Sequence, residues 1–142
     1  MRTAVDTNVF SALWSTEPAA SAMASLLGDS RKLGGLVICA PVYAELLAHP
    51  KVNQDFVDAF LLDTRVTVEF ALDEAVWRGA ARAFSAHAAR RRSRHGDQPR
   101  RLLVDFIIGA HATEKSDRLL TLDASRYRTD FPQLVLLPEA ER

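Results

Sequence analysis

Four acidic residues stand where a parallel α/β chain puts its chemistry. Asp6 ends the short apolar run "TAV", and Asp123 ends "RLLTL". Glu45 lies inside "VYAELL" and Asp105 inside "LLVDFIIGAHA". An ionised carboxylate among Leu102, Leu103, Val104, Phe106, Ile107 and Ile108 is costly unless it is paired or binds a metal. Each acid alone has an ordinary explanation as a helix cap, a solvent-facing helix residue or a first-turn acid. Together they carry more information, because four carboxylates in one cleft repel. One like-charge pair at about 4 Å costs roughly 4 kcal/mol at an effective dielectric near 20. A divalent cation resolves the conflict, and an all-oxygen ligand set without Cys or His favours Mg²⁺ or Mn²⁺ over Zn²⁺. Such ions keep waters and bind phosphate oxygens, which points to phosphoryl or phosphodiester chemistry.

The elements that position these acids follow from the pattern. "TAVD" reads as a first strand, with Asp-Thr-Asn capping a helix that begins near Val9. Pro18 suits the first turn of "PAASAMASLLG", which Gly28 is expected to end. "GLVICA", bounded by Gly34-Gly35 and Pro41, is a second strand, and "PVYAELLAH" is the helix after it. In "VNQDFVDAFLLD" the helical spacing puts Phe56, Ala59, Phe60 and Leu62 near one face. "RVTVEF" is a third strand. A long helix over "LDEAVWRGAARAFSAHAARRR" has Val76, Ala80, Ala83, Phe84 and His87 on one stripe. "SRHGDQP" is a loop, "RLLVDFIIGAHATEK" a helix, "RLLTLD" a fourth strand and "LVLL" a fifth.

Strands separated by helices imply a mainly parallel five-stranded sheet in a three-layer α/β/α sandwich. In such folds the ligand crevice lies beyond the carboxyl ends of the strands, where Asp6 and Asp123 fall. On the sixth helical segment Asp105, Gly109 and Ala112 share a stripe of small residues suited to close approach.

The chain has 142 residues, 48% hydrophobic and 25% charged, the size and composition of one soluble domain spanning 1–142. It lacks an apolar run long enough to cross a membrane and a secretory signal. The single cysteine, Cys39, excludes an internal disulfide and fits a reducing cytoplasm. Net charge is zero, yet residues 78–101 carry eight arginines against Asp97 alone, an asymmetry suited to a polyanion. His49, His87, His95 and His111 are not clustered at metal-ligand spacing.

The ordered acids, with "VDTNVFSAL", "APVYAELLAH", "LLVDFIIGAHA" and "RLLTLDASRYRTDFPQLVLL", resemble the PIN-domain ribonucleases, in particular VapC-type toxins of bacterial toxin–antitoxin pairs. The resemblance covers nearly the whole chain. It implies that Asp6, Glu45, Asp105 and Asp123 are the metal-binding and catalytic acids, with Thr7, Asn8 and Thr121 as supporting polar residues. It implies Mg²⁺- or Mn²⁺-dependent hydrolysis of RNA, a cognate antitoxin and a homodimer, with no membrane role. Trp14 is then a candidate for an apolar surface covered by an antitoxin helix or a second protomer. Arg90, Arg91, Arg92, Arg94, Arg100 and Arg101 become candidates for contacts to RNA phosphates. Leu122 and "EKSDR" depart from the family pattern without touching the four acids. Two other readings are a catalytically silent PIN-like module that binds RNA or protein, and a haloacid-dehalogenase-like phosphatase. The latter wants a second acid two positions after the first, where this chain has Asn8.

Overall fold

A computed structural model describes residues 1–94 and 101–139. The elements run β1 (Thr3–Val5), α1 (Thr7–Trp14), α2 (Ala20–Leu33), β2 (Leu36–Cys39), α3 (Ala40–Leu47) and α4 (Gln54–Asp63). They continue as β3 (Val66–Glu69), α5 (Glu74–Ser93), α6 (Leu103–Lys115), β4 (Arg118–Leu120), α7 (Ala124–Arg128) and β5 (Val135–Leu137). The five strands form one sheet in the order β3-β2-β1-β4-β5, and every pairing is parallel. Short strands hydrogen-bonded only in parallel must be covered, and β1 and β2 are buried throughout. The chain winds outward from β1 to β3, then returns to lay β4 on the other side of β1. That reversal makes the β1/β4 boundary the switch point at which such sheets open a crevice.

The main core joins Val5, Val37, Ile38, Leu119 and Leu120 of the sheet to Val9, Phe10, Met23, Val42, Leu46 and Ile108 of the helices. A smaller core of Val76, Ala80, Phe106, Ile107 and Ala110 holds α5 against α6. Strand and helix boundaries largely follow the sequence pattern, with instructive exceptions. Gly28 does not end α2, which continues to Leu33 with Gly34 at its C-cap. A Cβ at Gly34 would lie 2.3 Å from the Met1 carbonyl oxygen, so the chain start passes where a side chain would be, whereas Gly28 has open space. In α4 the buried positions are Val57 and Leu61, while Leu62 is 78% exposed and Phe56 also faces outward. Two adjacent leucines leave the helical phase ambiguous, and packing chose the first. On α5, Val76, Ala80 and His87 are buried as the stripe requires, but Phe84 lies at the margin, edge-on to Phe106. Trp14 is half-buried in an aromatic group with Phe10, Phe56, Phe60 and His49. The loop expected around "SRHGDQP" lies mostly outside the described residues, which omit 95–100.

No helix among the described residues is long and apolar enough to cross a membrane.

Candidate active site

β1 ends at Val5, and the next residue caps α1. Asp6 Oδ1 accepts the Thr7 N–H at 2.8 Å, so the capping role expected of this residue is real. Its other oxygen does something a cap does not need. Asp6 Oδ2 accepts the Thr121 hydroxyl at 2.9 Å and the Tyr127 hydroxyl at 2.8 Å. Asp6 is only 2% exposed, and burial pushes its carboxyl above the ordinary 3.8. The hydrogen bonds from Tyr127, Thr121 and Thr7, and the charge on Arg126, oppose that shift. Burial and the Asp6 charge push the Tyr127 hydroxyl far upward, so it remains a donor.

Neighbouring strands deliver the rest. Thr121 directly follows β4, which pairs with β1 in a register that sets Val5 beside Leu120. The Asp6 N–H donates to the Leu120 carbonyl at 2.9 Å, extending the ladder to the site itself. Thr121 Oγ1 also accepts the Asp123 N–H at 3.0 Å and the Asn8 side-chain amide at 3.4 Å. Asn8 Oδ1 in turn accepts the Leu122 N–H at 3.1 Å. Thr121 and Asn8 therefore tie the two strand ends together. On the β2 side, the Thr7 hydroxyl donates to Glu45 Oε1 at 2.7 Å, holding an exposed α3 carboxylate beside the α1 N-terminus.

Asp105 and Asp123 meet around a residue that sequence reasoning did not single out. Arg126 Nη1 lies 3.3 Å from Asp105 Oδ1, and Nη2 lies 3.2 Å from Asp123 Oδ2. Burial works against the Arg126 charge, but the carboxylates of Asp105, Asp123 and Asp6 outweigh it and hold the guanidinium ionised. Asp105 also accepts the Leu102 N–H at 3.4 Å at the start of α6, and Asp123 Oδ1 accepts the Ser125 hydroxyl at 2.9 Å. The available signal for Arg126 was its place three residues after Asp123, on the same side of a helix turn.

Other expectations resolve structurally. The small-residue stripe on α6 accommodates the protein itself: a Cβ on Gly109 would lie 2.2 Å from the Phe131 ring. His111 is buried and bonds Glu69 at 3.0 Å, outside the acid set. Arg90 pairs with Asp130, while Arg91 and Arg101 are half-buried and Arg92 and Arg94 are exposed. Arg100 lies outside the described residues. An apolar cavity of about 420 Å³ lies at the amino ends of β2 and β3, lined by Phe10, Leu13, Trp14, Leu27, Leu36 and Val66. None of the four acids lines it.

The donor set suits a hard divalent cation: carboxylate oxygens, one of them deeply buried, on adjoining strand ends. Among the described residues no three acidic, His or Cys side chains yet converge closely enough to hold an ion. The cation already present between Asp105 and Asp123 is the Arg126 guanidinium. The donors thus suit a metal in their chemistry, and Arg126 stands between two of them.

A parallel α/β domain with carboxylates gathered at the carboxyl edge of its central strands is the class this geometry defines. Residues 3–132 match the family model described as PIN domain, and the chain belongs to that family. Its fold is similar to VapBC2 from Rickettsia felis, in a crystal structure bound to a DNA fragment from their promoter. That match has a TM-score of 0.71 at 19% identity, covering 96% of this chain and 97% of the other. VapBC-1 from nontypeable Haemophilus influenzae is similar with a TM-score of 0.63 at 21% identity, covering 96% of each chain. A comparison with curated protein sequences yields no match. Nucleases of the PIN family generally use divalent metal ions.

Proposed function

We propose that this protein is a Mg²⁺- or Mn²⁺-dependent endoribonuclease and the toxin of a toxin–antitoxin pair. The observation that carries the reading is Asp6, a carboxylate buried at a strand end at an energetic cost and held there by hydrogen bonds from Thr7, Thr121 and Tyr127. Carboxylates shifted by burial cluster at sites that use them, which supports this reading. Asp6, Asp105 and Asp123 would hold the metal directly, and Glu45, fixed through Thr7, would complete the set or orient a water. When bound, the ion supplies charge neutralisation at a phosphodiester and a more acidic water.

The chain's own residues supply the geometry. Tyr127 and Thr121 keep Asp6 in one rotamer, with Tyr127 retaining its proton. Asn8 and Thr121 bind the β1 and β4 ends to each other, so Asp6 and Asp123 cannot drift apart. Glu45, the one exposed member, is the candidate to take a proton from the attacking water. Arg91, Arg92, Arg94, Arg100 and Arg101 would draw the RNA backbone toward the site without reading sequence, and Arg90 contributes less because Asp130 engages it. A cognate antitoxin and a homodimer complete the proposal, with cytoplasmic action; the two similar structures are themselves VapBC complexes.

One observation favours the second reading, a silent RNA- or protein-binding module: Arg126 already neutralises two of the acids. Brief induction in cells, followed by mapping of RNA 5′ ends across total RNA, separates the two. New 5′-phosphate ends that vanish in an Asp6→Asn control support the nuclease. Identical end profiles for the two proteins would support the silent module.

A further inference from the structure

Among the described residues Arg126 is the one cation within hydrogen-bond distance of any of the four acids, and it reaches Asp105 and Asp123. Its binding there is loose. Each carboxylate receives a single contact, at 3.3 and 3.2 Å, rather than the paired short bonds of a guanidinium fork. Its Nε is buried and has no hydrogen-bond partner within the described protein. The side chain also borders a polar cavity of about 180 Å³ formed with His87, Arg90, Arg101, Ser125, Thr129 and Asp130. Arg126 therefore borders open space as well as Asp105 and Asp123, and Asp130, paired with Arg90, stands on the wall of that cavity.

We propose that Arg126 is an exchangeable internal counter-cation: it holds the acid cluster together without metal, must leave for a divalent ion to bind, and so sets the metal affinity of the site. The inference rests on the metal-site reading above. A guanidinium and a divalent ion cannot share the same two carboxylate oxygens, so the work of expelling one is subtracted from the binding of the other. Asp105 and Asp123 are only partly exposed, so a cation between them offsets their mutual repulsion. The exchange keeps a cation in place. Asp6 differs in kind, since its three hydrogen bonds come from neutral donors that a metal need not displace.

The test measures Mn²⁺ binding to the metal-stripped full chain by electron paramagnetic resonance, for wild type, Arg126→Gln and Asp6→Asn. Thermal unfolding in EDTA and in excess Mg²⁺ accompanies it. The exchange predicts that Arg126→Gln binds Mn²⁺ at least about tenfold more tightly than wild type. It also predicts that this variant melts earlier in EDTA and gains more from Mg²⁺ than wild type gains. Equal or weaker Mn²⁺ binding by a folded Arg126→Gln variant overturns the exchange and leaves the metal site standing, provided Asp6→Asn loses binding. Absence of Mn²⁺ binding in wild type and Arg126→Gln alike overturns the exchange and the metal-site reading together. A measurement on wild type does not depend on the variant folding. Arginine side-chain ¹⁵N spectra should show the Arg126 guanidinium change its shift and rotate more freely on saturation with Mg²⁺. An Arg126 signal unmoved at saturating Mg²⁺ overturns the proposal.

Discussion

Tyr127→Phe removes one oxygen from a fully buried residue and isolates what holds Asp6. The ring stays, so packing against the core is unchanged, and Asp6 Oδ2 keeps only the Thr121 hydroxyl. A hydrogen bond to a charged group contributes about 1.5–3 kcal/mol, against roughly 0.5–1.5 kcal/mol for a neutral pair. Tyr127→Phe should therefore lower stability by about 2 kcal/mol at neutral pH, where the bond is made to a carboxylate. The pH dependence gives the sharper check. The folded protein holds the Asp6 proton more tightly than the unfolded chain, whose ordinary value is 3.8. Stability from this group thus declines as pH rises from 3.8 through the raised folded value, and is flat above it. Loss of the Tyr127 donor raises the folded value further and extends the decline to higher pH. The difference between variant and wild type should shrink to about 1 kcal/mol or less as the pH is brought down toward 4. Urea unfolding in EDTA at several pH values measures it. A difference that is constant across that range would refute the idea that Tyr127 acts on the Asp6 charge.

Three further outcomes follow from other parts of the molecule. Asp6→Asn, which removes a desolvated charge, should stabilise the metal-free protein at neutral pH by about 0.5–2 kcal/mol while losing Mg²⁺ stabilisation; a lower melting temperature in EDTA would contradict it. Burial lowers the His111 pKa below its ordinary 6.5 despite Glu69, so the fold favours the neutral ring. Stability should accordingly fall as pH drops below about 6.5, and His111→Gln should flatten that fall, as denaturant titrations at pH near 7.5 and 5.5 would show. Gly109→Ala should cost about 1–3 kcal/mol through overpacking against Phe131, and Gly28→Ala should be neutral or slightly stabilising; equal effects would remove the packing argument.

The sheet was legible in the sequence because short apolar runs ended at Gly34-Gly35, Pro41 or an acid, and helical spacing filled the intervals. Asp6 and Asp123 announced themselves by following strands, and Asp105 by its apolar neighbours. Thr7, Asn8 and Thr121 were singled out through family resemblance, and their bonds tie strand ends that only the fold brings side by side. Tyr127 and Arg126 escaped because "ASRYRTD" is polar enough to read as a surface turn. Their inward direction depends on a five-residue helix whose orientation the local pattern does not specify. Gly109 was legible only in part, for a related reason. A small-residue stripe signals close approach but not what approaches, and Phe131, over twenty residues away, fills the space. Leu61 and Leu62 show the limit of periodicity, since adjacent apolar residues fit either phase until the core selects one.

Whether these acids cut RNA with a metal can be measured directly. Purified wild-type protein, stripped in EDTA and returned to Mg²⁺ or Mn²⁺, should cleave a structured RNA only when the ion is present. Asp6→Asn and Asp105→Asn, shown folded by circular dichroism, should leave the RNA intact under the same conditions. Undiminished cleavage in EDTA, or full activity in either folded variant, would contradict the assignment of this site.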